Sequence, residues 1–269
     1  MSMFRKLAAA LVVAAMTMQA KGADPVQLYA AGSLRSALTE IAAAFEAAAN
    51  VKVQAKFGAS GTLKDQIADG ARADVFASAN MEHPQALAGA RKSGPVVLFA
   101  RNRLCALARP GVAVETATLL DRVLDPNVKL GTSTPRADPS GDYAWEVFRK
   151  AEKLRPGAFA ALERKALKLV GGPDAPTAPP GRTVYGMLIT DGKADIFLTY
   201  CTNAAEAKMD VAGAQIVALP EELAVGADYG LTVIAQAQPD AYRFAMYILS
   251  SDGQRVLSKH GFAAPALAR

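Results

Sequence analysis

The sequence predicts an α/β protein with parallel-rich sheets covered by helices on both faces, and three observations carry that reading. Short apolar stretches alternate with polar residues at a period of two; helical stretches with one apolar face follow them; small-residue turns mark the joins. With 269 residues and 51% hydrophobic content, the chain is long enough for one large or two modest domains.

The first 23 residues stand apart. Arg5 and Lys6 precede an apolar run from Leu7 to Met16, and small residues follow, with Ala20 or Ala23 as the last residue before cleavage. This is the pattern of a secretory signal peptide, too short to anchor in a bilayer. No cysteine sits at the cleavage site to carry a lipid, so the mature protein is expected to be soluble, exported and periplasmic. Its formal charge falls from +5 to +2, with 27 basic against 25 acidic side chains. Without a Lys/Arg run there is no case for nucleic acid. A mildly positive surface suits an anionic ligand.

Val26, Leu28 and Ala30 alternate with Gln27 and Tyr29, which predicts a strand that Gly32-Ser33 breaks. Leu34, Leu38, Ile41, Ala42 and Phe45 then recur at helical spacing over 34–48. Val51, Val53, Ala55 and Phe57 give a second strand, Gly58 to Thr62 a turn, and Leu63, Ile67 and Ala68 a helix ending near Gly70. A third strand is expected over 73–79, a helix over 81–91, extended segments over 96–99 and 104–107, a short helix over 115–124 and a strand over 128–131. Asp138-Pro139-Ser140-Gly141-Asp142 punctuates before an amphipathic helix that begins at Tyr143. The Pro- and Gly-rich stretch 171–181 reads as a loop, Arg182 opens a helix to Gly192, and 194–201 is a strand. Strands over 216–219 and 229–235, a helix over 239–250 and a shorter helix close the chain.

The chemistry sits at the joins. Strand, small-residue turn, serine and helix occur twice within forty residues, at Ser33 and Ser60, and Ser140 lies at a third such junction. Unpaired backbone N–H groups and a hydroxyl at the positive end of a helix make an anion site. The alternative is that each serine only caps its helix. Cys105 and Cys201 enter an oxidising compartment, where an even pair reads as bridged; two buried thiols acting as small hydrophobes are the alternative. His83 and His260 read as surface or turn residues and offer no metal or catalytic cluster. A secreted serine hydrolase is disfavoured, because Gly58-Ala59-Ser60-Gly61-Thr62 lacks the second glycine of a nucleophile elbow and no histidine pattern supports it.

Five stretches in order, A-A-G-S-L (30–34), G-A-S-G-T-L (58–63), A-D-V-F-A-S-A (73–79), Gly192 to Tyr200 and S-K-H-G-F (258–262), resemble the periplasmic molybdate-binding proteins of ABC transporters. The resemblance runs over nearly all of the mature chain. It implies a two-lobe periplasmic binding protein fold, with mixed, mostly parallel sheets flanked by helices and a tetrahedral oxyanion in the cleft. Lobe 1 would comprise 24–103 and 203–269, and lobe 2 would comprise 104–202. Ser33 and Ser60 look like ligands through hydroxyl and N–H, and Tyr200 like a hydroxyl donor on the return strand. The junction P-S-G-D-Y-A (139–144) is similar to the family's P-A-G-x-Y-A and would bring the Ser140 N–H to the anion. The fifth position falls on Arg182, where the family has a small apolar residue; the side chain either turns inward as a charged fork or stays solvated. Ser140 in place of alanine, and Asp142, leave the anion's identity open.

The resemblance further implies no catalysis and no cofactor, molybdate or tungstate as ligand, the membrane permease of an ABC importer as partner, and a monomer. Sulfate, phosphate or a phosphonate in the same fold is the alternative. Fixed donors separate molybdate and tungstate from smaller sulfate, but not from each other. In such a fold Cys105 and Cys201 would lie on the segments leaving and re-entering lobe 1, close enough to bridge, with Cys201 turned away from a ligand that Tyr200 faces.

Overall fold

The computed structural model describes residues 24–265. The expected signal peptide, residues 1–23 with its cleavage at Ala20 or Ala23, lies outside the described residues.

The chain opens with β1 (Val26–Ala31), a single 3-10 turn, α1 (Arg35–Ala49), β2 (Val53–Gly58), α2 (Ser60–Ala68), β3 (Val75–Ser78) and α3 (Glu82–Gly89). A twelve-residue strand, β4 (Val97–Ala108), follows, then α4 (Leu119–Leu124), β5 (Leu130–Ser133), α5 (Pro139–Leu154), α6 (Ala158–Lys165) and β6 (Leu167–Val170). The last third holds α7 (Val184–Thr190), β7 (Ile196–Tyr200), α8 (Cys201–Asp210), β8 (Gln215–Ala218), β9 (Gly226–Val233), α9 (Pro239–Leu249) and α10 (Ser251–Lys259). Three of these, α6, β6 and α8, were not anticipated, and α5 begins four residues before Tyr143 because Asp138 caps it and Pro139 is its first residue.

The strands run in the order β2-β1-β3-β9-β4-β7-β5-β6, with β8 also on β4. Parallel pairs lie in the two wings (β1 with β2 and β3, β5 with β6 and β7). Antiparallel pairs join them around β9 and β4. β4 is the shared strand: Val97 to Arg103 pair with β9, and Leu104 to Ala108 pair with β7 and β8. The sequence suggested two extended pieces there because Arg101, Asn102 and Arg103 interrupt the apolar run. The backbone nonetheless continues, since those residues find ladder partners in β9, and the Arg101 Nε lies 2.9 Å from the Asp228 carboxylate.

Each wing is covered on both faces. The main apolar core carries Leu38, Ile41 and Phe45 of α1, Phe244 and Ile248 of α9, and Val147 and Phe148 of α5, and it passes through β4 from one wing to the other. Leu63, Ile67, Phe76 and Leu87 close the opposite face of the first wing, and Leu107, Leu188, Ile189 and Phe197 that of the second. Burying each such large side chain contributes about 1.5–3 kcal/mol.

The assignment of 203–269 to the first lobe requires correction. Residues 215–218 pair with Cys105 to Ala108, and α8 packs on α7, β4 and β8, so the chain rejoins the first wing only at β9. The second half of β4 has two open edges; β7 fills one and β8 the other. The cysteines shift with this. Cys105 and Cys201 form a disulfide with Cα atoms 4.9 Å apart, but Cys201 is the first residue of α8, directly after β7. The bridge lies inside the second wing, between β4 and the β7–α8 junction, and does not span the two connections between wings.

Candidate functional site

The serine junctions and Tyr200 all lie at the carboxyl ends of parallel strands: Ser33 after β1, Ser60 after β2, Ser140 after β5, and Tyr200 at the end of β7. In α/β sheets this is the edge where ligands bind. There the helices that follow also turn their unpaired N–H groups outward.

Neither first-wing serine caps its helix. Ala59 holds the cap position of α2, and the buried Ser60 hydroxyl accepts the Ala79 N–H at 3.1 Å. Its lone pair is used and its hydrogen remains to donate. Ser33 Oγ lies 2.9 Å from Tyr229 Oη. Asn102 Oδ1 accepts the Arg103 N–H, which turns its Nδ2 toward Thr202 Oγ1 (2.9 Å) and Tyr229 Oη (3.3 Å). Tyr229 Oη accepts from Asn102, and in its bond with Ser33 either hydroxyl can be the donor.

Tyr200 is buried with its ring 5.6 Å from Tyr229 and 6.3 Å from Tyr143, and its hydroxyl reaches the Ala79 carbonyl at 3.4 Å. The Ala79 residue thus joins Ser60 of the first wing to Tyr200 of the second. Burial raises the Tyr143, Tyr200 and Tyr229 phenols far above their ordinary value, so all three stay neutral. The wings also meet where the Gly61 N–H donates to the Ala137 carbonyl at 2.9 Å. A Cβ at Gly61 would stand 2.2 Å from the Arg136 carbonyl oxygen, so the approach tolerates only glycine.

The head of α5 is built differently. The Asp138 carboxylate accepts the Ser140 N–H at 3.0 Å, the N–H that the sequence comparison assigned to an anion. The expectation that this group is open to a ligand therefore requires correction: Asp138, placed before Pro139, is the helix cap and occupies it. Ser140 is fully buried, and its hydroxyl, like that of Thr132 on β5, has no hydrogen-bond partner among the described residues. Gly171, at φ 79°, packs against the Asp138 side chain, and a Cβ there would lie 2.5 Å from the Asp138 Cβ. Enclosure pushes the Asp138 carboxyl up to about 6, against the opposing pull of the Ser140 N–H and Ser133; Asp142 adds a smaller upward push. Asp142 faces elsewhere, accepting the Arg136 N–H at 2.9 Å, and burial raises its carboxyl.

Arg182 lies outside this group. Its guanidinium meets Asp210 (Nε to Oδ2, 3.3 Å) and Thr190 (3.3 Å), and its N–H donates to the Pro179 carbonyl. Thr183 caps α7 in its place, with its own N–H on Asp210 at 2.7 Å. The carboxylate at the end of α8 draws both residues away from the strand edge. The surface reading of His83 is also corrected: its Nε2 is enclosed without a partner among the described residues, and burial, then Lys64, lowers its affinity for a proton.

Sequence reasoning missed Asn102, Tyr229 and Asp138. Asp followed by Pro is a helix-start signature and marks Asp138 as a cap. Nothing local marks Tyr229, which reaches Ser33 across 196 residues.

The family model of bacterial extracellular solute-binding proteins matches residues 26–263. An uncharacterized protein of Pasteurella multocida, PM1146, is 34% identical over 241 residues, covering 88% of this chain and 98% of that protein. The molybdate-binding protein ModA of Mycobacterium tuberculosis is 29% identical over 258 residues, covering 91% of this chain and 87% of its own. Among solved structures, the periplasmic molybdate-binding protein of Azotobacter vinelandii is similar in fold, with a TM-score of 0.72 at 16% identity over 90% of this chain and all of that one.

Proposed function

We propose an oxyanion carrier, and the premise is the family: the chain belongs to the bacterial extracellular solute-binding proteins. It is a binding protein, not an enzyme. It captures a tetrahedral oxyanion outside the cytoplasm, molybdate in the first place and tungstate with it, and delivers the ligand to the membrane permease of an ABC importer. Residues 1–23 direct its export to the periplasm. Residues 24–103 with 226–265 form one lobe and 104–225 the other, with Ser33, Ser60, Tyr200 and the Ser140 hydroxyl around the anion in the cleft.

The observation that carries this reading is the state of the Ser33 and Ser60 hydroxyls. The Ala79 N–H fixes the Ser60 oxygen and Tyr229 holds Ser33 Oγ, neither serine caps a helix, and the Ser60 hydrogen remains to donate beside the neutral Tyr200. Neutral O–H and N–H donors at helix heads hold an oxyanion without a counter-charge. Molybdate is supported by the relatives named for it.

A second reading is another oxyanion such as sulfate, phosphate or a phosphonate; Asp138 favours the hydrogen-bearing ones among them, phosphate or a phosphonate, because its carboxylate sits where a fully ionised anion would use the Ser140 N–H. Calorimetric titration of the purified mature protein with molybdate, tungstate, sulfate and phosphate tests both. Tightest binding of molybdate and tungstate supports the first, tightest binding of phosphate or sulfate the second, and heat from none of the four overturns the oxyanion reading.

A further inference from the structure

Four features of the α5 head belong together. Asp138 caps the helix through the Ser140 N–H at 3.0 Å. The Ser140 hydroxyl, in a fully buried residue beside it, has no partner among the described residues. The Asp138 carboxyl has no ion-pair partner among the described residues. The titratable groups that face it are Asp142 on its own helix, Tyr185 on α7 and Tyr200 on β7, which are anionic or neutral. Arg136, in the loop before the helix, lends only its N–H, and that goes to Asp142.

A carboxylate and a dianion cannot share one helix head without a counter-charge, because like charges at a common site keep one of the two protonated. A single proton between them removes the repulsion and makes a short charge-assisted bond. Resting on the oxyanion reading above, we propose that Asp138 couples capture of the anion to one proton, held between its carboxyl and an oxygen of the bound anion. With a fully ionised anion such as molybdate, the proton comes from solvent, sits on Asp138 and is donated to the anion. With a hydrogen-bearing anion such as hydrogen phosphate, the ligand brings the proton and its O–H donates to the Asp138 carboxylate. The buried Ser140 hydroxyl then finds an acceptor in the same anion. The elevated affinity of the Asp138 carboxyl for a proton, near pH 6, puts this coupling within reach of ordinary conditions.

Titration of the mature protein with molybdate from pH 6.5 to 8.5, in two buffers of different ionisation enthalpy, reads both affinity and protons taken up. The parent is expected to weaken with rising pH, approaching about tenfold per unit, while absorbing about one proton. Asp138→Asn, which keeps a cap but cannot titrate, is expected to bind with no pH slope and no uptake. A parent with neither slope nor uptake overturns the proposal, as does an Asp138→Asn protein that keeps both. If phosphate binds and molybdate does not, phosphate becomes the probe. Binding at least tenfold weaker in Asp138→Asn then supports the proposal, and equal binding overturns it. Failure of the parent to bind any of the four anions overturns the functional reading itself, a result distinct from binding without a proton.

Discussion

The first-wing junctions and the α5 head look alike in sequence, a small-residue turn with serine before a helix, yet they are electrostatically opposite. At Ser33 and Ser60 the hydroxyl oxygens are held by Tyr229 and the Ala79 N–H, so uncharged donors remain at the helix heads. At Ser140 the chain's own carboxylate holds the N–H, and the hydroxyl is buried without a partner among the described residues. The serine does not decide what a helix head offers. The residue that caps the helix decides it: Ala59 brings no charge to the head of α2, where the Gly61 N–H meets a neutral carbonyl, and Asp138 puts a carboxylate on that of α5.

The largest expected effect breaks the second wing alone. Replacing Cys105 and Cys201 together by serine opens a loop of about 100 residues and should cost roughly 3–5 kcal/mol of stability in urea unfolding. Because the bridge ties β4 to the β7–α8 junction, hydrogen exchange should rise in β7, α7 and α8 while β1 to β3 keep their protection. Equal loss in both wings would show that they do not differ in this respect.

Next come the first-wing donors. Ser33→Ala and Ser60→Ala should each weaken oxyanion binding ten- to a hundredfold, about 1.4–2.8 kcal/mol, since each removes a hydrogen bond to a charged group. Titrations indistinguishable from the parent would reduce both serines to structural roles. Tyr229→Phe keeps the serine but frees its orientation, and a loss of under about tenfold is expected.

Asp138→Asn sharpens the contrast through stability. The Asp138 carboxyl titrates near 6 in the folded protein, above its ordinary 3.8, so between those values the folded state binds more protons than the unfolded one. Its contribution to stability is therefore full below about pH 4, is lost as pH rises to about 6, and stays lost above. The asparagine variant should be more stable than the parent by up to about 3 kcal/mol at pH 8 and no more stable at pH 4. Urea unfolding at the two pH values measures this, and a gain of equal size at both would remove the enclosed charge as its cause.

The smallest effect concerns Arg182. Its ion pair with Asp210 is half-exposed and should contribute at most about 1 kcal/mol to stability. Arg182→Ala should leave anion affinity within about twofold at low and at high salt. A steep loss that salt abolishes would bring Arg182 back to the ligand.

The sequence by itself determined the α/β class and most of the strands and helices of the first wing. Local periodicity is enough where a strand such as β1 buries alternate residues and α1 follows with one apolar stripe. It also placed Ser33, Ser60 and Tyr200 at strand ends, because a serine after a broken strand and a tyrosine closing an apolar run are local signals. Only tertiary structure decided that β8 stays with the second wing, since a strand's choice of edge depends on which edges β7 leaves open. It decided likewise that Arg182 turns to Asp210 and that Tyr229 orients Ser33, because those partners lie 28 and 196 residues away. Asp138 falls between the two. Its role as a cap is legible in the Asp-Pro pair, but its charge state depends on Gly171, Ser133 and the second wing closing around it, and a low-dielectric enclosure is made by packing and has no pattern in sequence.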